Sequence, residues 1–212
     1  MSDPALDLLL ASGVIAVLRA RNAKGLTEVA RALGDGGVGA LEITLTTPGA
    51  VDGIAELSRV GGEVLIGAGT VLDAAAARSV MDAGARFVVS PTVEPEVIRV
   101  CRDRNVPCIP GAFTPTEILG AWRAGAALVK LFPAAAVGPG FLQDLLAPLP
   151  HLRIVPSGGI TLERVSEWIR AGAAAVSVGG ALVGAPPAEL SDRARAFVAE
   201  VRAARQSPDR SS

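Results

Sequence analysis

The chain has 212 residues, half of them hydrophobic, with aromatics at 3% and a formal charge of −1 at pH 7. Near-neutral charge, scattered basic residues and few rings argue against nucleic acid, which needs a basic face and stacking platforms. No run of 18 apolar residues and no basic leader followed by an apolar stretch occurs, so neither a membrane span nor export is expected, and Cys101 and Cys108 read as buried thiols of a reducing cytoplasm.

Residues 1–12 predict a short extra helix. Short apolar runs then alternate with amphipathic, helix-length stretches. VIAVLR (14–19) leads to a helix at 25–34, ALEITL (40–45) to one at 48–59, EVLIGA (63–68) to one at 73–82, and RFVVS (86–90) to one at 94–104. VPCIP (106–110) leads to a helix at 115–123, LVKLF (128–132) to one at 139–147, RIVPS (153–157) to one at 161–170, and AVSVG (175–179) to one at 188–203. Such alternation implies parallel strands joined by crossover helices. Eight units point to a closed (β/α)8 TIM barrel near its minimum size, one domain over 1–205 with a disordered tail at 206–212. The rival, an open doubly wound sheet, usually has fewer strands and a GxGxxG turn after the first; RARNAKG here lacks it.

Four helices end in a glycine that leads into a strand: DGGVGALEI, DAGARFVVS, RAGAALVKL and RAGAAAVSV. Counting five forward from Gly37, Gly84, Gly125 and Gly172 gives Glu42, Val89, Lys130 and Ser177, on the second, fourth, sixth and eighth strands. Alternate strands of such a barrel feed the same interior layer. Glu42 and Lys130 are therefore expected to share a layer and to point the same way.

Lys130 is one of two lysines, beside eighteen arginines, and lies in an apolar run. A buried ammonium is costly unless it is paired or loses its proton. The lysine and Glu42 could form a buried salt bridge, or either could point outward between helices. A catalytic role needs both at the C-terminal mouth, and both precede loop signals, TTPG and FPAAAVGPG. A desolvated, neutral amine attacks ketones to form an imine, whose iminium accepts the electrons of a neighbouring carbon–carbon bond. A carboxylate nearby moves the protons. Arginine cannot replace Lys130, because it stays protonated. Lys24, in RNAKGL before a helix, is expected in solvent.

The seventh strand ends in VPSGGIT, with Ser157, Gly158 and Gly159; the eighth ends in VSVGGAL, with Gly179 and Gly180. Paired glycines after these two strands suit a phosphate held by backbone N–H groups, although each could simply make a tight turn. In IGAGTV, Gly67 and Gly69 allow close backbone approach and Thr70 offers a hydroxyl. Arg19 ends the first strand, either as a carboxylate clamp or as a surface residue. His151 is the only histidine and lacks metal-ligand spacing, so no metal is expected.

LEITL with Glu42, IGAGTV, the SP after the fourth strand, PGAFTPTE, VKLFPA with Lys130 and PSGGI together resemble the 2-keto-3-deoxy-6-phosphogluconate aldolase family. That family also includes 2-keto-4-hydroxyglutarate and phosphogalactonate aldolases, and the likeness runs from about residue 13 to 185. It implies a class I aldolase that needs no metal or cofactor. Lys130 would carry the Schiff base and Glu42 would shuttle protons. Thr70 would help hold the pyruvate carboxylate, Phe132 and Pro91 would shape the wall, and Ser157, Gly158, Gly159, Gly179 and Gly180 would hold the phosphate. The implied substrates are a phosphorylated keto acid and pyruvate; the implied setting is a homotrimer in Entner–Doudoroff carbohydrate metabolism. Two positions depart from the family. Thr46 stands where many members have an arginine that binds the substrate acid group, a role Arg19 could take over. Ala181 stands where a serine often follows the glycine pair. The alternatives are 4-hydroxy-2-oxoglutarate or the phosphogalactonate compound as substrate, a phosphosugar isomerase or epimerase that forms no imine, and a catalytically silent phosphate-binding barrel.

Overall fold

The computed structural model describes residues 4–206. Residues 207–212 of the expected disordered tail lie outside the described residues, and Gln206 is the last residue of the final helix.

After α1 (Pro4–Ser12), strands and helices alternate in the predicted order. They are β1 (Val14–Leu18), α2 (Leu26–Asp35), β2 (Ala40–Thr44), α3 (Ala50–Val60), β3 (Leu65–Gly69), α4 (Ala74–Asp82), β4 (Val88–Val89) and α5 (Pro95–Asp103). There follow β5 (Cys108–Ile109), β6 (Gly111–Ala112), α6 (Pro115–Arg123), β7 (Val129–Leu131), a 3-10 turn (Ala134–Ala136), α7 (Pro139–Leu146), β8 (Ile154–Pro156), α8 (Leu162–Arg170), β9 (Val176–Val178), α9 (Gly180–Val183) and α10 (Pro187–Gln206).

All strand pairs are parallel, in the orders β5-β4-β3-β2-β1-β9 and β6-β7-β8. The two runs close into one ring. A parallel bridge between Ser157 and Ser177 joins β8 to β9. β5 and β6 are halves of a single stave, broken at Pro110, which has no N–H for the ladder. Across that break the Pro110 carbonyl still accepts from the Lys130 N–H at 2.9 Å. The result is an eight-stave (β/α)8 barrel. Its fifth stave runs on to Ala112, two residues beyond the sequence estimate, because the proline interrupts the ladder without ending it. The third begins at Leu65 instead of 63, since Gly61, Gly62 and Glu63 form an exposed turn.

The four glycines that end helices all adopt left-handed φ, +85° at Gly37, +102° at Gly84, +105° at Gly125 and +100° at Gly172. A side chain would strain each, so the repeated glycine sets where each following strand begins. Helix starts are fixed by other means. At α6 the Thr114 hydroxyl accepts from the Glu117 N–H, while the Glu117 carboxylate accepts from the Thr114 N–H at 2.8 Å.

Both strand faces are buried, so the strands read as nearly continuous apolar runs. Outward residues such as Leu41, Ile43, Val129 and Leu131 pack against the helices. Inward residues, including Ile15, Leu65, Phe87, Ile109, Leu128 and Val155, fill the lower barrel, and Ala5 and Leu9 of α1 close its floor. Each large side chain so buried contributes ~1.5–3 kcal/mol. Two residues further along, the interior turns polar on four staves, at Glu42, Lys130, Ser157 and Ser177.

Candidate active site

A cleft of about 720 Å³ opens at the C-terminal ends of the strands, and all eleven site residues expected from the sequence line it. Strand register puts them there. Glu42 is the central residue of β2, paired with Val17 on β1 and Gly67 on β3. Lys130 is the central residue of β7, between Gly111 and Val155. These are the second and sixth of eight staves, so the carboxyl and the amine project from opposite walls. Their exposures are only 1% and 8%. Neither points outward among the helices.

Nor do they form a direct salt bridge: among the described residues no ion pair within 4.0 Å joins them. Lys130 Nζ lies 5.1 Å from the centroid of the Phe132 ring. Glu42 Oε2 is buried without a hydrogen-bond partner. Such an unsatisfied acceptor suits a site that completes its bonding with a ligand or water. Burial pushes the Glu42 carboxyl above its ordinary pKa, and the positive charges of Lys130 and then Arg19 pull in the opposite direction. The net shift is upward.

The glycines of IGAGTV serve their neighbours' side chains, which corrects the expected close approach of backbone to ligand. A Cβ at Gly69 would overlap Glu42 Oε1 and stand 2.6 Å from Cδ. One at Gly67 would stand 2.5 Å from Phe87 ring atoms. The pair leaves room for the carboxyl above and the phenyl floor below. Thr70 follows at φ +61°, a conformation that costs a residue with a Cβ ~1 kcal/mol or more and holds it at the cleft wall.

Arg19 directly follows β1, is exposed, lines the cleft and makes no ion pair among the described residues. The loop after it is pinned by the loop that follows β2, where Thr47 Oγ1 accepts from the Ala20 N–H at 3.0 Å. Pro91 and Phe132 form part of the wall. Ser157, Gly158 and Gly159 follow β8, and their loop is held by N–H donation from Ala134 to the Ser157 carbonyl (2.8 Å) and from Ala135 to the Gly158 carbonyl (3.0 Å). Gly179 precedes α9 and Gly180 begins it, with Ala181 next on the same wall.

Thr44 and Ser177 are among the cleft residues with no role assigned from the sequence. Thr44 lies two residues beyond Glu42, and the strand period of two is the signal that places it on the same face. Ser177 was marked by the five-residue count alone. Thr46 is exposed outside the cleft lining, with its hydroxyl 2.9 Å from Thr44 Oγ1. Lys24 and His151 are exposed, and His151 stands edge-on to Trp122 at 6.0 Å. Cys101 and Cys108 are buried free thiols.

An amine and a carboxyl facing each other across a space, beside two glycine-rich loops, can hold a small anionic molecule between a nucleophile and a base. Similarity to known proteins points the same way. Residues 7–197 match the family model for KDPG and KHG aldolase. The chain is 40% identical over 157 residues to the 2-dehydro-3-deoxy-phosphogluconate aldolase of Treponema pallidum (strain Nichols), spanning 74% of this chain and 75% of that one. The native KDPGal structure superposes with a TM-score of 0.87 at 34% identity, covering 92% of this chain and 96% of that one. KDPG aldolase of Legionella pneumophila, solved with pyruvate captured at low pH as a covalent carbinolamine, superposes with a TM-score of 0.79 at 30% identity over 94% and 97% of the two chains. With the family model matched from one end of the barrel to the other, the chain belongs to the KDPG and KHG aldolase family.

Proposed function

We propose that the protein is a class I aldolase that reversibly cleaves 2-keto-3-deoxy-6-phosphogluconate to pyruvate and glyceraldehyde 3-phosphate, with residues 1–205 acting as one catalytic domain. The observation that carries this is the placement of Lys130 and Glu42 on opposite walls of one cleft, close enough for the Lys130 charge to act on the Glu42 carboxyl and with no direct ion pair between them among the described residues.

Lys130 Nζ attacks the C2 ketone, and loss of water from the carbinolamine gives the imine. Glu42, through a water, takes the C4 hydroxyl proton. The C3–C4 bond breaks, its electrons pass to the iminium, and the aldehyde leaves. Protonation of the enamine at C3 and hydrolysis release pyruvate and restore the amine. Arg19 and Thr70 hold the acid group, and the backbone N–H groups around Gly158, Gly159, Gly179 and Gly180 hold the phosphate. Pro91 and Phe132 bound the apolar wall, and Ser157 supplies a hydroxyl. The working assembly is a homotrimer in the cytoplasm, acting in carbohydrate breakdown.

Incubation with pyruvate and borohydride tests the chemistry. A reduced adduct at Lys130 is expected, and an adduct elsewhere, or none, contradicts the assignment. One observation favours a second reading of the substrate. Thr46 supplies no cation and lies outside the cleft lining, which leaves Arg19 as the cation for the acid group. The same chemistry on the phosphogalactonate epimer or on 4-hydroxy-2-oxoglutarate fits such a cleft. Comparing kcat/KM on the three compounds decides among them.

A further inference from the structure

The interior layer that holds the reactive pair has two further members. Glu42, Val89, Lys130 and Ser177 come from the second, fourth, sixth and eighth staves. The reactive groups occupy one diameter, and Ser177 and Val89 flank it. One flank is a hydroxyl, 3% exposed, that lines the cleft. The other is an isopropyl group, 1% exposed, in the interior apolar cluster. Val89 is not among the residues lining the cleft, so a molecule lying between Lys130 and Glu42 meets a hydroxyl of this layer on one flank only.

Ser177 also has a proton to offer. Ser157 Oγ donates to Ser177 Oγ at 3.3 Å, and among the described residues the Ser177 hydroxyl donates to no protein acceptor. Its donor is left for whatever occupies the cleft, and Ser157 fixes the position of its oxygen.

From this asymmetry we infer that Ser177 is a specificity-determining residue: it donates to the oxygen on C4 of the substrate, the aldehyde oxygen in the reverse direction, and so selects the configuration at that carbon. The inference rests on the proposed aldolase reaction. With C2 held by Lys130, C4 lies toward Glu42, and Ser177 stands between the two walls on one side. An oxygen turned that way meets both the hydroxyl and the carboxyl. The opposite configuration turns it away from the Ser177 hydroxyl and forfeits that hydrogen bond, which disfavours it.

The test is the ratio of the two C4 epimers formed from pyruvate and glyceraldehyde 3-phosphate, read alongside borohydride trapping with pyruvate alone. Wild type should be trapped at Lys130 and should form one epimer in excess. Ser177→Ala should still be trapped, with the epimer ratio falling ~10-fold. Ser177→Cys, which keeps the volume but weakens the donor, should behave like the alanine variant, and Ser177→Thr should keep the wild-type ratio. An unchanged ratio in either the alanine or the cysteine variant overturns the role of Ser177 while leaving the aldolase intact. Failure of wild type to be trapped overturns the imine reaction itself, and the inference with it.

Discussion

The barrel carries a cleft at each end. The one at the strand C-termini has about 720 Å³, and one beside the N-terminal ends of β3 and β4, against α1, α2 and α3, has about 630 Å³. Size does not distinguish them. The lower cleft is lined by exposed apolar and surface-charged residues such as Leu8, Val60, Arg31 and Glu63. The upper one holds Glu42, Lys130, Ser157 and Ser177, all nearly buried. Along four strands the change from apolar floor to polar mouth takes a single two-residue step: Ala40 to Glu42, Leu128 to Lys130, Val155 to Ser157 and Ala175 to Ser177. Chemistry on this fold is a matter of which layer carries the exception to burial. Floor substitutions should act on stability, and mouth substitutions on turnover.

The sharpest contrast comes from Lys130→Met. It removes the proposed nucleophile but keeps the unbranched chain, so cleavage should fall by at least ~10⁴-fold with the fold retained, as followed by coupled pyruvate detection and by circular dichroism. Glu42→Gln comes next, with cleavage down ~10²–10⁴-fold while borohydride trapping at Lys130 persists.

The same variant has an opposite effect on stability, and the sign follows from burial. The folded Glu42 carboxyl holds its proton more tightly than the unfolded chain does. Its contribution to stability is therefore full below the unfolded pKa and is lost as pH rises through the raised folded value. At neutral pH the unfolded carboxyl ionises freely while burial penalises the folded charge, a cost that glutamine does not carry, so Glu42→Gln should melt higher, and the gap should close as pH falls. If Glu42 acts as the proposed base, wild-type cleavage should lose rate on the acid side at a pH above the ordinary carboxylate range. A melting series and a pH–rate profile check both signs.

Leu128→Ala tests the floor. Leu128 is fully buried two residues before Lys130, and its truncation should cost about 2–5 kcal/mol in denaturant unfolding while turnover per folded molecule is largely kept. A smaller effect is expected for Arg19→Ala at the rim. KM should rise ~10-fold with kcat little changed, the signature of lost ground-state binding to an acid group. If Leu128→Ala abolished turnover without destabilising the fold, or if Lys130→Met unfolded the chain, the division between floor and mouth would fail.

Much of this architecture is legible in the sequence because the repeat is physical. A helix-ending glycine followed by a fixed count to an inward position requires only left-handed backbone and a strand period of two, and it brought out Glu42, Lys130 and Ser177 together. The break at Pro110 was harder to place, since a proline in a strand run reads as an end, while here the chain resumes pairing one residue later. The purpose of Gly69 was also hidden. Nothing local shows that its missing Cβ makes room for a carboxyl on the neighbouring strand. Nor could spacing say that Ser157 and Ser177 meet, because that contact depends on closing the barrel between the seventh and eighth staves. The paired glycines, by contrast, stood out as loops and now lie on the cleft wall, where their role as a phosphate cradle is open to test.

The central claim is that Lys130 becomes covalently bonded to a keto acid. Borohydride reduction of the protein in the presence of pyruvate, followed by peptide mass mapping, tests it most directly. A single adduct on the peptide containing Lys130, absent from Lys130→Met, is the predicted result; an adduct on Lys24, or full cleavage activity without any adduct, would contradict it.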